Sequence, residues 1–178
     1  MTDTLPSCSP KRSFLFQIAL LSVFFLGASF DKPDYPACRA DDAEVMQLRQ
    51  FVSGYAQNFT GIRYLHAGGS TRTGFDCSGF TSYIFKEFGL KASPCSRTQS
   101  AEGTPVDLEE ALPGDLIFFG RSKHIQHVAM VVENTPDGII CVHCTSSRGV
   151  VIENVSTSKY WKPKILFARD VITGQAKF

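Results

Sequence analysis

The stretch Gly74-Phe75-Asp76-Cys77-Ser78-Gly79-Phe80-Thr81-Ser82-Tyr83-Ile84-Phe85-Lys86-Glu87-Phe88-Gly89 decides how the rest of the chain is read. Phe80, Ile84 and Phe88 recur every fourth residue, which puts them on one helical face, and Gly89 stands where a glycine ends a helix. The spacing predicts a helix from Cys77 to Phe88, with Asp76 as its N-cap. A thiol attacks a carbonyl as thiolate, and its free pKa must be lowered by a helix N-terminus or a neighbouring imidazolium. The unpaired N–H groups and dipole of a first turn favour that negative charge, and the same N–H groups suit a developing oxyanion. Cys77 is therefore the candidate nucleophile.

Working outward, the polar segment from Tyr64 to Asp76, with Gly68, Gly69 and Gly74, reads as an irregular loop where backbone approaches something closely. Before it, Val45, Leu48, Val52 and Tyr55 continue at helical spacing from an acid-capped start at Asp41 and Glu44 to a stop at Asn58 to Gly61. Beyond Gly114 the texture changes to short apolar runs at Leu116 to Phe119, Val128 to Val132, Ile139 to Val142, Val150 to Val155 and Ile165 to Ala168. Gly, Pro, Asn and Ser separate them, as they separate strands. Helices first and strands afterwards predict an α+β domain built on an antiparallel sheet.

The chain has 178 residues, enough for one domain with one real core, and its 43% hydrophobic and 20% charged composition is that of a globular protein. A formal charge of +1, without a basic stripe, excludes nucleic-acid binding from the reading. Lys11 and Arg12 precede an apolar run from Phe14 to Ala28, with Gly27, Ala28 and Ser29 as a cleavage region. Residues 1–30 thus read as a signal peptide or signal anchor, 31–40 as a linker, and 41–178 as the folded domain. The product is exported, to periplasm, envelope or medium, and touches a membrane only if the apolar run stays uncleaved. Removal of the leader takes Cys8 and leaves five cysteines, an odd count that suits one free catalytic thiol in an oxidising compartment. Cys38 with Cys95 is a possible disulfide. Cys95, Cys141 and Cys144 otherwise read as inert core thiols.

Two histidines complete the constellation. If the runs around Val128 to Val132 and Ile139 to Val142 form a hairpin centred near Thr135, His127 and His143 stand directly opposite each other. Such pairs lie ~5 Å apart, within imidazole contact, and a one-residue slip separates them. His127 is then a general base toward Cys77, and His143 the partner that fixes its tautomer. His66 and His124 read as surface or loop residues. Cys141, His143 and Cys144 are close in sequence, but Cys141 and Cys144 face opposite sides of a strand, a poor geometry for zinc. No metal or cofactor is expected.

At this point the sequence resembles the NlpC-type cell-wall peptidases, which have a papain-like fold. The resemblance rests on Gly74-Phe75-Asp76-Cys77-Ser78-Gly79-Phe80, Pro113-Gly114-Asp115-Leu116-Ile117-Phe118-Phe119, His127-Val128-Ala129-Met130, and His143 ahead of Ser146-Ser147-Arg148-Gly149-Val150. It runs from about Val45 to Ala168. It implies cysteine endopeptidase action on peptidoglycan stem peptides, typically between D-γ-glutamate and a diamino acid, through a thioester. Cys77, His127 and His143 match the family's nucleophile, base and third polar residue. Tyr64, Asp76, Ser78 and Ser96 match its substrate contacts, and a carboxylate at Asp76 suits a free substrate amine. Leu65 and Pro94-Cys95 depart from the family pattern. A binding module with a silent site, and an amidase or transferase using the same Cys-His pair, are the alternative functions. With no evident interaction segment, the domain reads as a monomer.

Overall fold

The computed structural model describes residues 40–122 and 124–176. The leader over residues 1–30, the linker up to residue 39, Cys8 and Cys38 lie outside the described residues. Among those described, no helix is long and apolar enough to cross a membrane.

Helix α1 (Ala40–Gln57) is followed by a two-residue ribbon, β1 (Gly69–Ser70) with β2 (Gly74–Phe75), and then by α2 (Cys77–Glu87). Asp76 caps α2 as expected, its Oδ1 accepting the Gly79 N–H at 2.7 Å, and Gly89 closes the helix at φ +72°. The glycine-rich loop turns back onto this first turn, where the Gly68 carbonyl accepts the Asp76 N–H. A Cβ on Gly79 would lie 2.0 Å from that carbonyl oxygen, so a helix position that ordinarily favours alanine must be glycine here. A short α3 (Ser96–Gln99) precedes β3 (Thr104–Val106), β4 (Leu116–Arg121), β5 (His124–Thr135), β6 (Gly138–Thr145), β7 (Gly149–Asn154) and β8 (Ile165–Asp170). The last six form one antiparallel sheet in the order β3-β8-β4-β5-β6-β7, and the α+β reading is borne out.

Both faces of the central strands are buried, which explains their near-continuous apolar sequence. One face carries Phe118, Val128, Met130, Val142 and Cys144 and packs on Val52 and Ala56 of α1 and Phe80, Ile84 and Phe85 of α2. The other carries Ile117, Phe119, Ala129, Val131 and Cys141 beneath Trp161. Cys141 and Cys144 thus belong to opposite faces, as strand alternation requires.

Across the top of the domain, Arg49 of α1 is 2% exposed and joins Asp115 and Asp170, each at 2.6 Å. It also donates to Thr173 Oγ1 and to the Pro113 carbonyl. The Leu112 N–H satisfies the second oxygen of Asp115, and the Ile172 and Thr173 N–H groups satisfy Asp170. This cluster ties α1 to the entry of β4 and the exit of β8.

The hairpin register departs from the expected one. The β5–β6 turn pairs Thr135 with Gly138, not a centre at Thr135, and a bulge at Val132 then shifts the ladder so that Met130 faces Val142. Continued along β6, that register sets His143 opposite Ala129, two residues from His127. Ala129 and His127 share a face, so the histidines become diagonal neighbours rather than a directly opposed pair. Without the bulge, the turn would send His143 to the opposite face from His127.

Candidate active site

Cys77, at the first position of α2, lines a cleft of about 500 Å³ together with Tyr64, His127, Cys144, Arg148 and Trp161. The Val128 N–H, one residue along β5 from His127, acts to lower the Cys77 pKa, and Cys77 and His127 line the same cleft. His127 Nε2 lies 2.8 Å from His143 Nδ1, and both rings are buried. Diagonal placement thus achieves the imidazole contact that direct opposition was expected to give. His143 Nε2 continues to Glu153 Oε1 at 2.9 Å. That same oxygen accepts the Trp161 indole N–H at 3.0 Å and pairs with Arg148. Trp161 stacks on His127 with ring centroids 4.6 Å apart and planes 24° apart.

The electrostatics differ from the sequence expectation in one respect. Burial pushes the Cys77 thiol up, against the pull of the Val128, Ser78 and Cys77 N–H groups. Burial also carries His127 well below the usual imidazole range, helped by His143 and by the Lys164 charge. His143 is lowered by burial too, although Glu153 opposes that shift. The helix start therefore does not by itself yield a thiolate. Both shifts favour the uncharged forms of thiol and imidazole, which suits proton transfer during attack. The remaining core thiols are silent: burial pushes Cys144 up to about 12 and raises Cys141 as well. Cys95 is not a core thiol; it is exposed at the start of α3.

These shifts predict a pH dependence of stability. Histidines of the unfolded chain protonate near ~6.5, whereas folded His127 and His143 do so only at lower pH. Within that window the unfolded state binds more protons, so stability falls as pH drops below about 6.5. Urea unfolding at about pH 7 and about pH 5.5 is expected to show this loss, reduced in His127→Gln.

The residues matched as substrate contacts divide. Tyr64 lines the cleft, where burial and then the Asp76 charge raise its phenol pKa. Asp76, Ser78 and Ser96 lie outside the cleft lining. Ser78 Oγ donates to the Pro94 carbonyl at 2.8 Å and approaches Asp76 Oδ1, bridging the start of α2 to the segment before α3. His66 and His124 are exposed, as expected. Sequence reasoning missed Glu153 and Trp161. The available signal for Glu153 was a lone carboxylate within an apolar strand, Gly149-Val150-Val151-Ile152-Glu153.

The comparisons with known proteins agree with this architecture. The "Probable endopeptidase NlpC" of Escherichia coli is 29% identical over 157 residues, covering 86% of this chain and 97% of that protein. The "Gamma-DL-glutamyl hydrolase" of Bacillus subtilis is 30% identical over 142 residues, 78% of this chain but only 33% of that protein. Among solved structures, an NlpC/P60 family protein from Bacillus cereus superimposes with a TM-score of 0.63 at 33% identity, covering 70% of this chain and 40% of that one. The family model described as NlpC/P60 matches residues 61–170, which span the glycine-rich loop, Cys77, both paired histidines and Glu153, and the chain belongs to the NlpC/P60 family.

Proposed function

We propose that this protein is an exported peptidoglycan hydrolase, a cysteine endopeptidase that cuts stem peptides between D-γ-glutamate and a diamino acid. The observation that carries the reading is His127 sharing one cleft with Cys77 at a helix N-terminus, with the buried His143 hydrogen-bonded behind it. Relatives named as endopeptidases, and one named for γ-linked glutamyl hydrolysis, support the reaction class and the linkage. The apolar run from Phe14 to Ala28 supports export, and residues 41–178 form the proposed catalytic domain, acting as a monomer.

The chemistry follows from the uncharged forms of thiol and imidazole. As the Cys77 sulfur attacks the glutamyl carbonyl, its proton passes to His127, and N–H groups at the start of α2 meet the oxyanion. Collapse breaks the C–N bond, and His127 returns the proton to the departing amine. Water, deprotonated by His127, then cleaves the thioester and frees a carboxylate. Tyr64 borders the nucleophile, while Asp76, Ser78 and Ser96 are proposed to meet the amino end of the peptide.

Incubation of the purified protein with stem tri- and tetrapeptides, followed by mass spectrometry, tests this. Products that part D-γ-glutamate from the diamino acid are expected. Cleavage at any other bond would refute the specificity, and adducts with added amines in place of hydrolysis would convert the reading to a transferase.

A further inference from the structure

Among the described residues, Glu153 is the one carboxylate that lines the cleft. It stands on β7 opposite Cys141 and therefore diagonal to His143, the relation that also joins His143 to His127. Three donors converge on its Oε1: His143 Nε2, the Trp161 indole and Arg148. Burial works against the charge, but these hydrogen bonds outweigh it and hold Glu153 below the usual carboxylate range. The group is thus an anion that only accepts.

An acceptor at that point dictates every proton along the line. His143 must carry its proton on Nε2 to donate to Glu153 across 2.9 Å. A neutral His143 then has only a lone pair on Nδ1, so His127 must donate from Nε2 across 2.8 Å. A neutral His127 is left with its lone pair on Nδ1. In the reverse arrangement His143 would donate from Nδ1, His127 would be protonated on Nδ1, and that nitrogen would be unable to take a proton from a thiol.

We propose that Glu153 is a positioning residue that fixes the tautomers of both imidazoles, making His127 Nδ1 the base available to Cys77, and that it supplies the counter-charge when His127 becomes an imidazolium. The tautomer half stands on the hydrogen bonds alone; the catalytic half rests on the proposed thiol-peptidase reaction. During attack the Cys77 S–H bond breaks and the proton moves to His127 Nδ1. The resulting positive charge is stabilised through His143 by Glu153, and the proton leaves on the amine. Arg148 and Trp161 keep the carboxylate in place from its exposed side.

The test has two readouts on the full-length protein. Nitrogen-15 NMR of the wild-type imidazoles near neutral pH is expected to show both rings protonated on Nε2 and bare on Nδ1, with a tautomer mixture in Glu153→Ala. Kinetically, Glu153→Ala is expected to lower kcat by roughly 10- to 100-fold with little change in KM, and Glu153→Gln, which keeps an acceptor without charge, less so. The acid limb of kcat/KM is expected to move to lower pH in Glu153→Ala, because the rings lose the anion that favours their protonation. A merely structural role would lower activity without moving that limb. Wild-type His127 found protonated on Nδ1, or a Glu153→Ala protein with unchanged tautomers and acid limb, would overturn the proposal. The expected tautomers in a protein that cleaves no stem peptide would uphold the positioning role and reject the peptidase reading.

Discussion

Cys77→Ala is expected to abolish turnover of stem peptides, a fall of ~10⁴-fold or more, because the variant lacks the sulfur proposed to form the thioester. Nothing else in the cleft substitutes for it. Cys144 lines the same space, but burial holds its thiol up to about 12 and its Sγ is directed to the Phe75 carbonyl. The fold is expected to survive, since the change removes one partly exposed sulfur and leaves the Asp76 cap intact. Product mass spectrometry and the urea midpoint, measured on the same preparation, check both halves. Substantial residual cleavage at the same bond would remove Cys77 from the mechanism. Loss of activity with a lowered midpoint would instead mark the thiol as structural.

Arg49→Met is expected to destabilise the protein by about 3–5 kcal/mol, the usual cost of breaking a buried ion pair on one side. Here the cost is compounded. Asp115 is 1% exposed, and Asp170 is nearly as enclosed, so two carboxylates would be stranded by one substitution. Arg49→Lys is expected to fall between, because an ammonium cannot reproduce the guanidinium's planar, forked bonding to both carboxylates, Thr173 and Pro113. Equilibrium unfolding in urea measures the three proteins, and an Arg49→Met midpoint equal to wild type would show the cluster to be energetically idle. The activity of whatever remains folded is expected to be unchanged, since the cluster shares no residue with the cleft. Asp115 therefore belongs to the motif Pro113-Gly114-Asp115 for structural reasons.

How much of this was legible in the sequence depended on distance along the chain. The start of α2 is a local matter: Asp76, Cys77, the apolar spacing of Phe80, Ile84 and Phe88, and the closing Gly89 all lie within one short stretch. The histidine pair was legible in its consequence and not in its register. Hydrophobic patterning marks where strands run, but it carries no sign that Val132 is an unpaired extra residue. The expected and observed registers nevertheless place both rings on one face, so the contact survived the error. Glu153 and Trp161 were missed for a different reason. Each reaches the site across the sheet, through β7 and the segment that follows it, and neither carries a local pattern that names a histidine partner. The raised Cys77 pKa was likewise hidden, because burial is decided by packing and overrides what a helix start alone would do.

The chain has a single tryptophan, and that residue lies flat against the proposed base. An imidazolium quenches the emission of an indole stacked on it more strongly than a neutral imidazole does. Intrinsic fluorescence, recorded without label or substrate, is therefore expected to report protonation of the two imidazoles that touch the indole, His127 and His143. Slow or inhibited turnover can be followed from inside the site, and ligands can be sorted by whether they leave the imidazoles charged or neutral.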